Sequence, residues 1–135
     1  MDAGARFIVS PATDRETIDF CKRLTVPVVP GALTPTEIQT AWEAGADLVK
    51  VFPATALGPA YFKDLHGPMP QVRLMPTGGV SLENAGDWIR AGAVAIGVGG
   101  ALVDPKLVAA GNYGGITERA KRFIERVRTA RESSV

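Results

Sequence analysis

Histidine and cysteine are almost absent from this 135-residue chain, which carries one of each, His66 and Cys21. A single cysteine excludes an intrachain disulfide, and one histidine leaves no partner for a His-based metal site. No metal or other cofactor is expected, and Cys21 reads as a small buried hydrophobe. Charge of one sign is also lacking: 15 basic side chains stand against 14 acidic ones, net +1. That balance points away from nucleic acid and from an anionic membrane surface as partners. No run approaches the ~18 apolar residues of a membrane span. The opening stretch, Met1 to Arg6, has no apolar core of a secretory signal, so a cytoplasmic protein is expected.

What is present is globular. Apolar residues make up 46% and charged residues 21% of the chain, enough to bury the core of one domain over residues 1–135 and too little for two of ordinary size. The chain is organised around Asp47-Leu48-Val49-Lys50-Val51-Phe52-Pro53, an apolar run with one lysine at its centre. Side chains alternate along a strand, so Lys50 shares a face with Leu48 and Phe52. Burial there favours the uncharged amine, which is a nucleophile and forms a Schiff base with a carbonyl. The same run also admits an interior lysine paired with a carboxylate, or a strand end where the amine reaches water.

Apolar strands centred near Ile8, Val28, Lys50, Arg73 and Ile96 recur at about 20-residue intervals, with a helical stretch between neighbours. Thr13-Asp14-Arg15-Glu16 predicts a capping box opening a helix from Asp14 to Leu24. Thr34-Pro35-Thr36-Glu37 predicts a second box, with proline at the first helical position and Gly45 past the end. Further helices are expected from Pro59 to Leu65 and from Ser81 to Ala91. A short one is expected at Ala101–Leu102 or Pro105–Ala110, and a long one from Ile116 to Glu132 with Ile116, Ala120, Phe123, Ile124 and Val127 on one stripe. Trp42, Trp88, Tyr61 and Phe62 fit packing on the sheet, His66 a helix-end or surface position, and Glu118 to Arg131 a solvated face. Near-continuous apolar strands alternating with helices mark a parallel α/β sheet, either doubly wound or a (β/α)8 TIM-type barrel. A mid-strand lysine with glycine turns at the carboxyl ends of strands favours the barrel, of which about five of eight units are present.

Pro76-Thr77-Gly78-Gly79 and Gly97-Val98-Gly99-Gly100-Ala101 each lie where a strand hands over to a helix. Glycines there let backbone N–H groups converge on an anion, helped by the following helix N-terminus. Either turn alone could be only a tight turn. Two on consecutive strands predict a phosphate cup from Gly78, Gly79, Gly99 and Gly100.

These motifs have a familiar order. Phe7-Ile8-Val9-Ser10-Pro11, Leu33-Thr34-Pro35-Thr36-Glu37, Val49-Lys50-Val51-Phe52-Pro53-Ala54, Val72 to Val80 and Gly97 to Leu102 together resemble the 2-keto-3-deoxy-6-phosphogluconate (KDPG) and 4-hydroxy-2-oxoglutarate (KHG) aldolase family, over nearly the whole chain. The resemblance implies a metal-independent class I aldolase on a (β/α)8 barrel, usually a homotrimer. Its reaction splits KDPG into pyruvate and glyceraldehyde 3-phosphate, a step of the Entner–Doudoroff pathway. Lys50 falls on the Schiff-base lysine, Thr77 on the threonine beside the bound pyruvyl group, Gly78, Gly79 and Gly99 on phosphate-loop positions, and Phe52 and Pro11 on residues lining the pocket. Two departures stand out. Gly100-Ala101 occupies the place of a phosphate-contacting serine, leaving backbone donors. The chain also corresponds to the family from its fourth strand onward, without the strands that carry its acid/base glutamate. A keto acid or phosphosugar is the expected partner, and a catalytically impaired fragment or assembly module on the same scaffold is the alternative.

Overall fold

A computed structural model of the chain describes residues 3–133. Strand β1 (Ile8–Val9) is followed by helix α1 (Arg15–Arg23), strands β2 (Val28–Val29) and β3 (Gly31–Ala32), helix α2 (Pro35–Glu43) and strand β4 (Val49–Val51). Helix α3 (Gly58–His66), strand β5 (Leu74–Pro76) and helices α4 (Ala85–Arg90), α5 (Pro105–Ala109) and α6 (Tyr113–Glu132) complete the order. All pairings are parallel: β1 with β2 in one ladder, and β3, β4 and β5 in another. The strand predicted over Val26–Pro30 and bounded by Gly31 is observed as β2 and runs on past Pro30, which has no N–H to give, into β3. The division is local, because Asp47 N–H donates to Val28 O and Lys50 N–H to Pro30 O.

The fifth predicted strand, 93–98, is reduced to a single bridge between Thr77 and Gly97. Val94 N–H donates to Leu74 O at 3.0 Å and Gly97 N–H to Pro76 O at 2.8 Å. The outer segment thus advances three residues while β5 advances two. The extra residue is a bulge, which breaks the ladder but keeps the segment alongside β5.

Burial alternates along the strands, and this decides which face does what. Val49, Val51 and Leu74 are fully buried and join Ile38 and Ala41 of α2, Phe62 and Leu65 of α3, and Trp88 and Ile89 of α4 in one core. Phe62 and Trp88 meet edge to face at 5.1 Å between ring centroids, a favoured aromatic geometry. A smaller cluster, Ile18, Cys21 and Val28, seats α1 on β2, so Cys21 is a buried hydrophobe as expected. Helices cover this face. The residues in register on the other face, Gly31, Lys50 and Met75, belong to neither core cluster.

Several local expectations shift. The α1 cap is Asp14, whose carboxylate accepts the Thr17 N–H at 2.9 Å, while Thr13 instead donates its hydroxyl to Gly31 O. The Thr34–Glu37 capping box forms as expected. Ser81 caps only a turn, accepting Glu83 N–H, and α4 starts at Ala85. The short helix is the Pro105 one. On α6, Phe123 is buried but Ile124 is 67% exposed, so the apolar stripe is covered along only part of its width. His66 is half-buried, its Nε2 3.1 Å from Val72 O. No described helix is long and apolar enough to cross a membrane.

Candidate active site

Register fixes the site. Lys50 pairs with Met75 and Val51 with Pro76, so one residue further on, Thr77 and Phe52 emerge on the face that carries Lys50. Lys50 is half-buried, and its Nζ lies 4.5 Å from the centroid of the Phe52 ring. A ring face attracts a cation, and the described residues give Lys50 no carboxylate partner. Of the three readings the strand allowed, the ion-paired interior lysine is therefore the one its surroundings contradict. The shielding is lighter than complete burial, because Phe52 is itself 37% exposed.

A groove of about 440 Å³ is lined by Phe52, Thr77, Gly78, Gly79, Gly99 and Gly100, joined by Val80, Ser81 and Ala101. The two glycine turns thus meet across one opening. Gly78 and Gly79 hold φ of +92° and +71°, values a side chain would strain. Among the described residues, the amides of Gly78, Gly79, Gly99 and Gly100 donate to no protein acceptor. The expected help from helix N-termini is missing, since α4 and α5 begin several residues beyond the glycines. Loop N–H groups are the donors instead.

The Thr77 hydroxyl is enclosed yet has no hydrogen-bond partner among the described residues. An unmade bond of this kind costs ~1–3 kcal/mol. Its room is left by Gly97, where a Cβ would fall 2.2 Å from Thr77 Oγ1. Pro11 is placed differently. It lines a separate pocket of about 200 Å³ with Ala12, Thr13, Gly31, Ala32, Leu33 and Glu37, and Phe52 is the wall shared with the glycine groove. Gly31 lets the Pro11 carbonyl close over the strand, for a Cβ there would sit 2.1 Å from Pro11 O.

Glu37, read in sequence only as a cap, faces the Pro11 pocket while its carboxylate accepts the Thr34 and Leu33 N–H groups at 2.7 and 2.8 Å. Those bonds, the Thr34 amide first, hold it below the usual carboxylate range. Tyr61 donates its hydroxyl to Leu33 O, and burial, then the Glu37 charge, raises its phenol. Two residues tying the glycine turns were missed. Asn84 accepts Ser81 N–H and donates to Gly79 O, both at 2.8 Å, and Arg119 of α6 reaches Ala101 O and Asp104. The Asn84 contact was foreshadowed by its place three residues after Ser81. Nothing in the helical pattern of α6 marked Arg119.

Among the described residues no group of three or more His, Cys, Asp or Glu could hold a metal ion. The chain is thus built of parallel β/α units, with helices on one face of the sheet, a strand lysine on the other and paired glycine turns at the strand ends. The chain belongs to the KDPG and KHG aldolase family, whose model matches residues 1–119. It is 37% identical over 126 residues to the 2-dehydro-3-deoxy-phosphogluconate aldolase of Pseudomonas aeruginosa, covering 92% of this chain and 57% of that protein. A native KDPGal structure superposes with TM-score 0.88 at 32% identity, covering 97% of this chain and 62% of that one. The KDPG aldolase of Legionella pneumophila, solved with pyruvate captured as a covalent carbinolamine intermediate, gives TM-score 0.79 at 31% identity over 87% of this chain and 57% of that one. These relatives have a barrel-like α/β fold, and the chain spans less than two thirds of their length.

Proposed function

We propose that residues 1–135 form a single partial barrel domain, five β/α units of eight, that carries the nucleophile of a class I aldolase. The share of the KDPGal chain covered, 62%, is close to five eighths. The observation that carries the reading is Lys50, which has no carboxylate partner among the described residues, on the same sheet face as a Thr77 hydroxyl with no partner among them and beside a groove whose four glycine amides donate to no described acceptor.

In this reading Lys50 Nζ attacks the C2 carbonyl of 2-keto-3-deoxy-6-phosphogluconate, forming a carbinolamine that loses water to give an imine. The C3–C4 bond then breaks. Its electron pair passes into the imine as an enamine, the C4 hydroxyl gives up its proton, and glyceraldehyde 3-phosphate leaves. Protonation at C3 and hydrolysis return pyruvate and the free amine. Gly78, Gly79, Gly99 and Gly100 hold the phosphoryl end through backbone N–H groups, Thr77 meets the pyruvyl group, and Phe52 and Pro11 line the pocket. The chemistry requires no metal. 4-Hydroxy-2-oxoglutarate, which breaks into pyruvate and glyoxylate by the same route, is the second substrate. The assembled enzyme is a cytoplasmic homotrimer in this reading.

No carboxylate of this chain is assigned as the acid/base group, so proton transfer falls to water at a cost of roughly 10²- to 10⁴-fold in rate. That observation favours one second reading, an impaired fragment or assembly module that keeps the scaffold. Open apolar surface supports it: Phe7, just before β1, and Val9 on it are 62% and 45% exposed, and Ile96, Val98, Phe123, Ile124 and Val127 line a groove of about 550 Å³. Pyruvate with borohydride should add one reduced pyruvyl unit to the chain, and Lys50→Ala should abolish it. Equal labelling of both proteins would remove Lys50 as nucleophile. Labelling without pyruvate release from KDPG would select the module reading.

A further inference from the structure

The two glycine turns are secured differently. The first is tied at close range by Asn84, which donates to Gly79 O and accepts Ser81 N–H. The second is anchored at its start, where Gly97 N–H donates to Pro76 O and Val98 packs against the core; beyond that, among the described residues, it has its own backbone bonds, Leu102 and Val103 N–H to Gly99 O, and one contact from outside. Arg119, near the start of α6, donates from Nη1 to Ala101 O at 3.2 Å and pairs through Nη2 with Asp104 Oδ2 at 3.1 Å. Asp104 is engaged as well, because its Oδ1 caps α5 by accepting Lys106 N–H at 2.8 Å. Arg119 and Asp104 side chains are 34% and 25% exposed, shielded enough for the pair to outlast an open surface ion pair.

The fork geometry gives this contact its use. A guanidinium presents several donors in one rigid plane and can hold two acceptors at once. Here it joins the carbonyl of the residue that ends the turn to the cap of the next helix. That fixes the peptide plane leaving Ala101 and, through the chain, the direction of the amides just before it. Gly99 and Gly100 are exposed, carry no side chain to anchor them and have open space where a Cβ would stand. Upstream the chain is held at Gly97 and Val98; downstream of the two glycines, among the described residues, Arg119 supplies the hold from outside the loop.

We propose that Arg119 is a positioning residue for anion binding: its grip on Ala101 and Asp104 keeps the Gly99 and Gly100 amides directed into the groove they share with Gly78 and Gly79. The inference rests on the phosphoryl reading of that groove and adds a residue that reading does not contain. Arg119 does not line the groove, so it acts through the loop and not as a ligand.

The test uses the full chain and inorganic phosphate, with amide resonances of the four glycines followed by NMR. In the parent chain phosphate should shift all four; no shift at any of them overturns the phosphoryl reading and the proposal together. Arg119→Gln should weaken phosphate binding by about tenfold, the loss of one charge-assisted contact. It should also speed hydrogen exchange at Gly99 and Gly100 but not at Gly78 and Gly79, and leave borohydride trapping of unphosphorylated pyruvate unchanged. Binding within twofold of the parent overturns the proposal alone. Arg119→Lys, with a point charge in place of the fork, should fall between the two. Asp104→Asn separates a clamp from a bare positive charge, since asparagine keeps the cap oxygen but loses the ionic partner. A clamp predicts weaker phosphate binding. Tighter binding, as expected when a negative charge near an anion is removed, overturns the proposal, and this arm decides the matter if Arg119→Gln does not fold.

Discussion

Replacing Gly97 by alanine tests whether the Thr77 hydroxyl is held where the site requires it. A Cβ on Gly97 would lie 2.2 Å from Thr77 Oγ1, about 1.2 Å inside ordinary contact at 3.4 Å, and 3.2 Å from Thr77 Cβ. Neither backbone can slide away cheaply. The two residues form the bridge between the outer segment and β5, and Gly97 N–H donates to Pro76 O at 2.8 Å. The threonine must therefore leave its rotamer or the bridge must open, a conflict of the overpacking kind that costs ~1–3 kcal/mol. Denaturant unfolding of the parent, Gly97→Ala, Thr77→Ala and the double variant reads this as a coupling energy. Removing the hydroxyl leaves the 3.2 Å contact as the nearest one from that side chain, so Gly97→Ala should cost ~1–2 kcal/mol less in the Thr77→Ala background. Equal cost in both backgrounds would refute the reasoning, because the hydroxyl would then not be the group that Gly97 makes room for.

Phe62→Ala should lower stability by ~3–5 kcal/mol through the cavity it leaves, because Phe62 is fully buried and holds the edge-to-face contact with Trp88; thermal or denaturant unfolding measures it. Glu37 predicts a pH dependence. Its carboxyl is held below the usual 4.5, first by the Thr34 amide and then by the Leu33 amide. A depressed folded value stabilises above the unfolded one, and that stability is lost as pH falls through the folded value. The stability difference between parent and Glu37→Gln should thus be constant from pH 7 to about 5 and shrink progressively below about 4.5. A difference that grows on acidification would contradict the capping-box account.

Residue order alone carried the alternation of strands and helices, the Thr34–Glu37 cap and the placing of Lys50 with Phe52 on one strand face. Each follows from spacing along one strand or one helical turn, where the period of the backbone carries the information. It also marked both glycine turns by their place at strand ends, and Gly78 and Gly79 of the first hold positive φ that side chains rarely adopt. Local patterns misled where a distant group competed. Thr13 left its cap for Gly31 O, 18 residues away, and Ile124 lies exposed on a stripe that periodicity alone would bury. The bulge that reduces the 93–98 strand to a bridge depends on register with β5, which a single strand cannot specify. The folded arrangement was needed to show that Phe52 supports the Lys50 amine while walling both pockets, that Gly97 makes room for the Thr77 hydroxyl, and that Arg119 grips the second turn from 18 residues along the chain. Such contacts join elements by direction and distance in space, and neither quantity is written in the order of residues.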